Sequence, residues 1–117
     1  MILVSEAFSN EIRVEWNEKY QHANEGFTSV RWEAKVLTGA EEAHIVWYGP
    51  NCTQIKPNDK SSKYKITTER YGNGKIKTML EIYNITQQDA GRYKLWSMTD
   101  KQQKWNYFTL TVGGMYF

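Results

Sequence analysis

Hydrophobic and polar positions alternate with a period of two along most of the chain, the pattern of strands that bury one face. Ile12, Val14 and Trp16, separated by charged or polar residues, predict a first strand. Val30, Trp32, Ala34 and Val36 alternate with Arg31, Glu33 and Lys35 and predict a second. Ile45-Val46-Trp47-Tyr48 predicts the next, stopped by Gly49-Pro50. A lysine-rich connection around Ile55 leads to a strand opening at Tyr64-Lys65-Ile66-Thr67. Tyr71-Gly72-Asn73-Gly74 predicts a hairpin, because Asn-Gly tolerates the positive φ of such turns. Thr78, Leu80 and Ile82 form the strand that follows, and Tyr93, Leu95 and Ser97 then alternate inward. Trp105 to Val112 closes the set after a loop at Asp100 to Lys104. Short strands at regular spacing, with turn signals between them and no helical stripe, predict an all-β sandwich.

One motif sharpens that expectation. In Asp89-Ala90-Gly91-Arg92-Tyr93, an Asp-x-Gly-x-Tyr follows a strand-like run. Such a Tyr packs inward while its hydroxyl bonds back to the corner before it. Upstream, Glu25-Gly26 leads into Val30-x-Trp32-x-Ala34, Trp47 lies thirteen residues beyond Ala34, and Leu80-x-Ile82 precedes the corner. On these residues the chain resembles the immunoglobulin superfamily over essentially its whole length. The resemblance implies an immunoglobulin-like Greek-key sandwich of two antiparallel sheets, one domain over 1–117. Its core strands would span about 10–112, with 113–117 as an exit segment. It implies a structural core of Trp32, Ala34, Trp47, Asp89, Tyr93 and Leu95, and an ion pair between Lys63 and Asp89. Ala34 and Leu95 stand where that superfamily carries its two bridge cysteines, so no inter-sheet disulfide is expected. The gap between them suits a variable-type or an intermediate-type domain. The last strand lacks the Gly-x-Gly bulge of antigen-receptor variable domains, which argues against an antibody or antigen-receptor chain.

A missing bridge over so long a loop forgoes about 4 kcal/mol by the chain-entropy model. Packing of Trp47 against Leu95, Ala34 and Trp32 is the expected compensation, since one buried aromatic contributes about 3 kcal/mol.

Inward positions fix the outward ones, because side chains alternate along strands. On the strands that the resemblance labels B and E, the outward residues are Arg31, Glu33, Lys35, Met79, Glu81 and Tyr83, a mostly charged face. On C, F and G they are Val46, Tyr48, Lys94, Trp96, Met98, Trp105 and Tyr107. That composition is what the centre of a protein interface looks like. These seven residues are therefore the candidate partner-binding set. Cover by the first strand, by the connection after strand C or by a neighbouring domain is the competing explanation.

Composition adds exclusions. With 117 residues, 24% charged and 40% hydrophobic, the chain has the size and make-up of one globular domain. A net charge of +2 with interleaved signs leaves no basic stripe for nucleic acid. Lys60, Lys63 and Lys65 read as a solvated strand end. No apolar run reaches membrane-span length, and Met1-Ile2-Leu3-Val4 is too short for a signal core. An extracellular protein would thus carry its signal and membrane segments outside this stretch. Cys52 is the single cysteine and cannot form an internal disulfide. Asn51-Cys52-Thr53 and Asn84-Ile85-Thr86 are glycosylation sequons and lean toward export. Catalytic chemistry is not in view. His22 and His44 lie outside metal-ligand spacing, Gly72-Asn73-Gly74 lacks the rest of a dinucleotide motif, and Glu41-Glu42 sits in a polar turn. Cys52 has no evident cationic neighbour in the sequence.

A disulfide-free, variable-like domain with sequons is similar to the membrane-distal domains of invertebrate allorecognition and adhesion receptors. That resemblance implies a non-enzymatic cell–cell recognition module at the cell surface, without cofactor, binding a protein through its C-F-G sheet. The partner it suggests is the same domain on an opposing cell. The structural alternative is an intermediate-type domain of a giant cytosolic muscle or cytoskeletal protein, where a reducing compartment explains the absent bridge. A secreted viral decoy is a third reading. The core assignment has a direct check: Leu95→Ala should cost more than about 2 kcal/mol in denaturant melts, and a loss below about 1 would place Leu95 outside the core.

Overall fold

The computed structural model describes residues 11–27, 29–40, 42–57 and 62–114. These form nine strands: β1 (Arg13–Trp16), β2 (Tyr20–Asn24), β3 (Ser29–Leu37), β4 (His44–Tyr48), β5 (Gln54–Ile55), β6 (Tyr64–Gly72), β7 (Lys75–Tyr83), β8 (Gly91–Met98) and β9 (Gln103–Gly113). A short 3₁₀ turn, Gln87–Asp89, joins β7 to β8. One sheet has the order β1-β3-β7-β6 and the other β2-β9-β8-β4-β5. Every pairing is antiparallel except β2 with β9, which is parallel. The two sheets face one another as the expected sandwich, with no closed barrel and no disulfide, Cys52 being free. Met1 to Val4, Glu41, Lys60 and the end of the exit segment at 115–117 lie outside the described residues.

Several elements differ from the sequence-based map. β2 is absent from it, because Tyr-Gln-His-Ala-Asn has one buried apolar residue, Ala23, and so shows no alternation. β5 is two residues long, too short to carry a pattern. β6 runs on to Gly72 as a sheet edge, and its residues from Thr67 to Tyr71 are exposed. At the hairpin tip only Gly74 takes a positive φ (+66°); Asn73 does not, and a bulge at Tyr71 adjusts the register instead. A Cβ on Gly74 would collide with the Thr38 carbonyl oxygen, so the tip is pressed against the end of β3. The loop before β9 is also shorter than expected, since pairing resumes at Gln103 opposite Met98.

Alternation places the core. Val30, Trp32, Ala34 and Val36 on β3, Ile76, Thr78, Leu80 and Ile82 on β7, and Tyr93, Leu95 and Ser97 on β8 are all buried. The expected packing of Trp47 on Trp32 is replaced by one in which both rings meet Phe108. Phe108 sits at the centre of the aromatic cluster, its ring centroid 4.8 Å from Trp16, 4.8 Å from Trp32, 5.3 Å from Trp47 and 5.5 Å from Tyr93. The ring partners of Trp47 are Phe108 and Trp16, at 5.3 and 6.1 Å, and Leu95 is its neighbour across β4–β8. A polar tie joins the layers as well. Trp47 Nε1–H on β4 donates to Thr78 Oγ1 on β7 at 2.9 Å, and Thr68 Oγ1 on β6 lies 2.9 Å beyond. The indole N–H groups of Trp16 and Trp32 have no such partner among the described residues.

The corner between β7 and β8 is built from charge and one hydroxyl. Tyr93 Oη–H donates to the Asp89 carbonyl oxygen at 2.7 Å. Asp89 Oδ2 accepts from Lys63 Nζ at 2.7 Å and from the Thr86 backbone N–H at 2.8 Å. Lys63 Nζ also donates to the Asn84 carbonyl oxygen at 2.9 Å, so it is a corner clamp and not a solvated strand end. Gly91 has φ +144°, and a Cβ there would stand 2.8 Å from Pro50 Cβ, so the start of β8 is fitted against the turn that ends β4.

Two outcomes follow from these contacts. Thr78→Val keeps the side-chain shape but strands the Trp47 N–H; equilibrium unfolding should show a loss of about 1–3 kcal/mol. Burial, with Tyr64 and Asp89 nearby, holds the Tyr93 phenol far above the usual tyrosine range. Folding therefore favours the neutral phenol. Its contribution is complete below the unfolded pKa of about 10 and is lost as pH rises above it. Tyr93→Phe should flatten the alkaline decline of the melting temperature while lowering stability at pH 7 by about 1 kcal/mol.

Candidate functional site

Outward positions of β4, β8 and β9 form one continuous face, and the register arranges it in rungs. Val46, Trp96 and Trp105 make one rung; Tyr48, Lys94 and Tyr107 make the next. His44, Met98 and Gln103 lie on one side of these two rungs, and Arg92 with Thr109 on the other. All seven residues of the candidate set thus stand on the same sheet surface. Trp105 is 43% exposed and Tyr107 41%, while Val46, Tyr48, Lys94, Trp96 and Met98 are half-buried by one another. The first strand does not cover them: β1 belongs to the opposite sheet, and β2 extends the same sheet beyond β9. Tyr20, 73% exposed, adds an aromatic ring at that edge, opposite Thr109.

The face is internally ordered. Trp105 has its ring centroid 5.5 Å from Tyr48 and 6.1 Å from Trp96. Trp96 Nε1–H donates to Gln103 Oε1 at 2.9 Å, which fixes the indole. Two cations lie over rings: Arg92 is 4.6 Å from the Tyr107 centroid and Lys94 is 5.7 Å from that of Trp105. Lys94 Nζ also donates to Cys52 Sγ at 3.0 Å, and that bond holds the ammonium above the usual lysine range. Cys52 therefore has a cationic neighbour, contrary to the expectation from sequence, because the turn at φ +62° folds the thiol back beside β8.

Charge separates the two outer faces. On the β1-β3-β7-β6 sheet, Arg31 stands opposite Glu81 and Glu81 opposite Lys65; Lys35 stands opposite Glu15 and Lys77 opposite Glu69. That surface is charged throughout with both signs, although Lys35 also stands opposite Lys77 and the Arg13–Leu37–Lys75 row is purely basic. Outward positions of β4, β8 and β9 hold Arg92 and Lys94 and no carboxylate. At one end, Glu42 and Asp100 share an open hollow of about 530 Å³ with His44, Met98 and Lys101.

Three contributors escaped the sequence reading. Arg92 is an intervening residue of the corner motif, although its parity with Lys94 and Trp96 places it on the face. Gln103 falls in the predicted loop at Asp100 to Lys104, and Tyr20 lies on β2, which carries no alternation. Both sequon asparagines are exposed: Asn51 in the Gly49–Thr53 turn and Asn84 at φ +54° beside the corner. Among the described residues no group of three or more His, Cys, Asp or Glu could hold a metal ion. Nor, among the described residues, is any helix long and apolar enough to cross a membrane.

No family model matches the chain, and no curated protein matches it either. Solved structures do. Dpr2 Ig1-Ig2 in complex with DIP-Theta Ig1-Ig3 superposes with a TM-score of 0.74 at 19% identity, over 86% of this chain and 32% of that one. The M1 domain from titin gives 0.64 at 24% identity, over 86% of this chain and 94% of the titin domain. A twitchin kinase fragment from C. elegans, containing kinase and immunoglobulin domains, gives 0.69 at 19% identity over 91% of this chain and 21% of that one. The chain thus spans about a third of the Dpr2–DIP chain it matches. At such identities the likeness is one of fold, and the fold is the immunoglobulin-like β-sandwich. Beyond β4 its second sheet has one short strand, β5, and no further strand before β6 among the described residues, while β2 extends it on the other side beyond β9.

Proposed function

We propose that this domain is a recognition module which binds a protein through the outward face of β4, β8 and β9. Its setting in this reading is the surface of a cell, as part of a larger membrane protein, with glycans at Asn51 and Asn84. It carries no catalytic role and no cofactor. The observation that carries the reading is the contrast between the two sheets. One outer face is charged throughout, with acids and bases interleaved, and the other presents Trp96, Trp105, Tyr48 and Tyr107 with two cations and no carboxylate. Surface aromatics with weakly hydrated cations gain most when a partner excludes water from them. Structural likeness to a complex formed by Dpr2 and DIP-Theta domains is consistent with this use of the fold.

A second reading has its own support. The lone free cysteine and the likeness to titin M1 fit a spacer domain of a large intracellular protein. Expression in a secretory host and a binding assay on intact cells separate the two. The recognition module should carry glycan at Asn84 and Asn51, and Trp96→Asp combined with Tyr107→Asp should abolish cell binding without lowering the melting temperature by more than a few degrees. An unglycosylated domain whose behaviour is indifferent to the double substitution would falsify the recognition reading and leave the spacer.

A further inference from the structure

We propose that the occupant of the β4–β8–β9 face is a second copy of this chain, docked face to face with its strands reversed. The two-fold axis runs across the strands through the Val46–Trp96–Trp105 rung. The inference rests on the recognition reading above and adds the partner and its geometry.

Charge placement along β8 selects this arrangement. Outward residues on one strand are about 6.6 Å apart, so Arg92 and Met98 are separated by about 20 Å. Arg92 and Lys94 occupy one end of the face, the tryptophan rung lies near its middle, and the hollow holding Glu42 and Asp100 lies past Met98 at the other end. Neither cation has a carboxylate partner among the described residues, and neither acid has a cationic one. Lys101 in the same hollow offsets part of the acidic charge, leaving that end net negative. An axis along the strands would lay Arg92 and Lys94 over their own copies. An axis across the strands, at the tryptophan rung, exchanges the ends. Arg92 and Lys94 of each copy then meet the Glu42–Asp100 hollow of the other, and Trp96 and Trp105 meet their counterparts over the axis. The pairing is satisfied twice, as a closed isologous contact requires.

Size sets the strength. Strands β2, β9, β8 and β4, about 4.8 Å apart and up to about 20 Å long, offer roughly 400 Å² per copy, a size of weak and transient contacts. A reversible dimer of micromolar or weaker affinity is the outcome, one that gains strength by multivalency between two surfaces.

Sedimentation velocity over a concentration series tests this on protein made without glycans. Wild type should shift from monomer to dimer. Arg92→Glu with Lys94→Glu, and separately Glu42→Lys with Asp100→Lys, should each raise the dimer dissociation constant at least about tenfold. An equimolar mixture of the two variants should restore a one-to-one dimer, because one carries acids at both ends and the other bases at both ends. Melting curves verify that each variant is folded, and Arg92→Glu with Asp100→Lys as single reversals repeat the test should a double variant fail. Dimerisation that ignores the reversals, or no rescue on mixing, overturns the arrangement. A wild type that stays monomeric while Trp96→Asp plus Tyr107→Asp still abolishes binding to cells overturns self-pairing but keeps the recognition reading; loss of neither defeats both.

Discussion

Two sheets held together without a covalent link are the constraint on which the rest of the structure depends. A disulfide between the positions of Ala34 and Leu95 would tie β3 to β8 whatever the surrounding packing. Here the tie is distributed. Phe108 brings four aromatic rings from β1, β3, β4 and β8 together on one side chain. The Trp47–Thr78 hydrogen bond adds direction, since it forms only when β4 and β7 face each other in one alignment. A slip of β8 by one residue would expose Tyr93 and Leu95 together and lose the bond to Asp89. Core packing and corner chemistry therefore fix one register between them, and that register is what places Arg92, Lys94, Trp96 and Met98 on the open surface.

Much of this was legible in the sequence, and the parts that were not share a physical cause. β3, β7 and β8 each bury one face against a full partner sheet, so their burial alternates and their inward residues are the ones observed, whereas β4 is a continuous apolar run with only Trp47 fully buried. The corner was legible because Asp89, Gly91 and Tyr93 each serve a distinct local need at fixed spacing, and the Lys63–Asp89 pair followed from the resemblance. β2 was not, because a parallel edge strand that buries one alanine has no periodic signature. Nor was the role of Phe108: a phenylalanine in an alternating strand is visibly core, but which rings converge on it depends on how two sheets cross. The Lys94–Cys52 contact spans two strands through a turn with a left-handed residue, a distance that no local pattern encodes. On the outer face the composition was readable, whereas its order was not. The cation–ring contacts and the separation of acid from base emerge only once the register is known.

The likeness to both a Dpr2–DIP complex and a titin domain illustrates why the fold alone does not decide the function. An immunoglobulin-like sandwich needs its inward residues wherever it is used, and those are shared by any protein of that shape. Discrimination must come from residues that folding does not require. On the β1-β3-β7-β6 sheet these are mostly interleaved acids and bases, whose hydration a partner would have to strip away.

The other sheet is different in kind. Large aromatic side chains turned to water gain nothing for the sandwich beneath them, whose core is complete without them. Nor do Arg92 and Lys94 serve the core: each rests on a ring of the same outer surface. A spacer domain would do as well with threonine and lysine at those positions. In the proposed recognition role, a partner excludes water from this arrangement. The cations then lose hydration they hold loosely, the indoles lose apolar area, and unpaired charges at both ends call for counterparts of opposite sign in a fixed order. A surface that offers base, then aromatic, then acid from one end of the sheet to the loops past the other is complementary to its own reversal. In the proposed pairing, the register set by the buried aromatic cluster thus also sets how the two copies would meet.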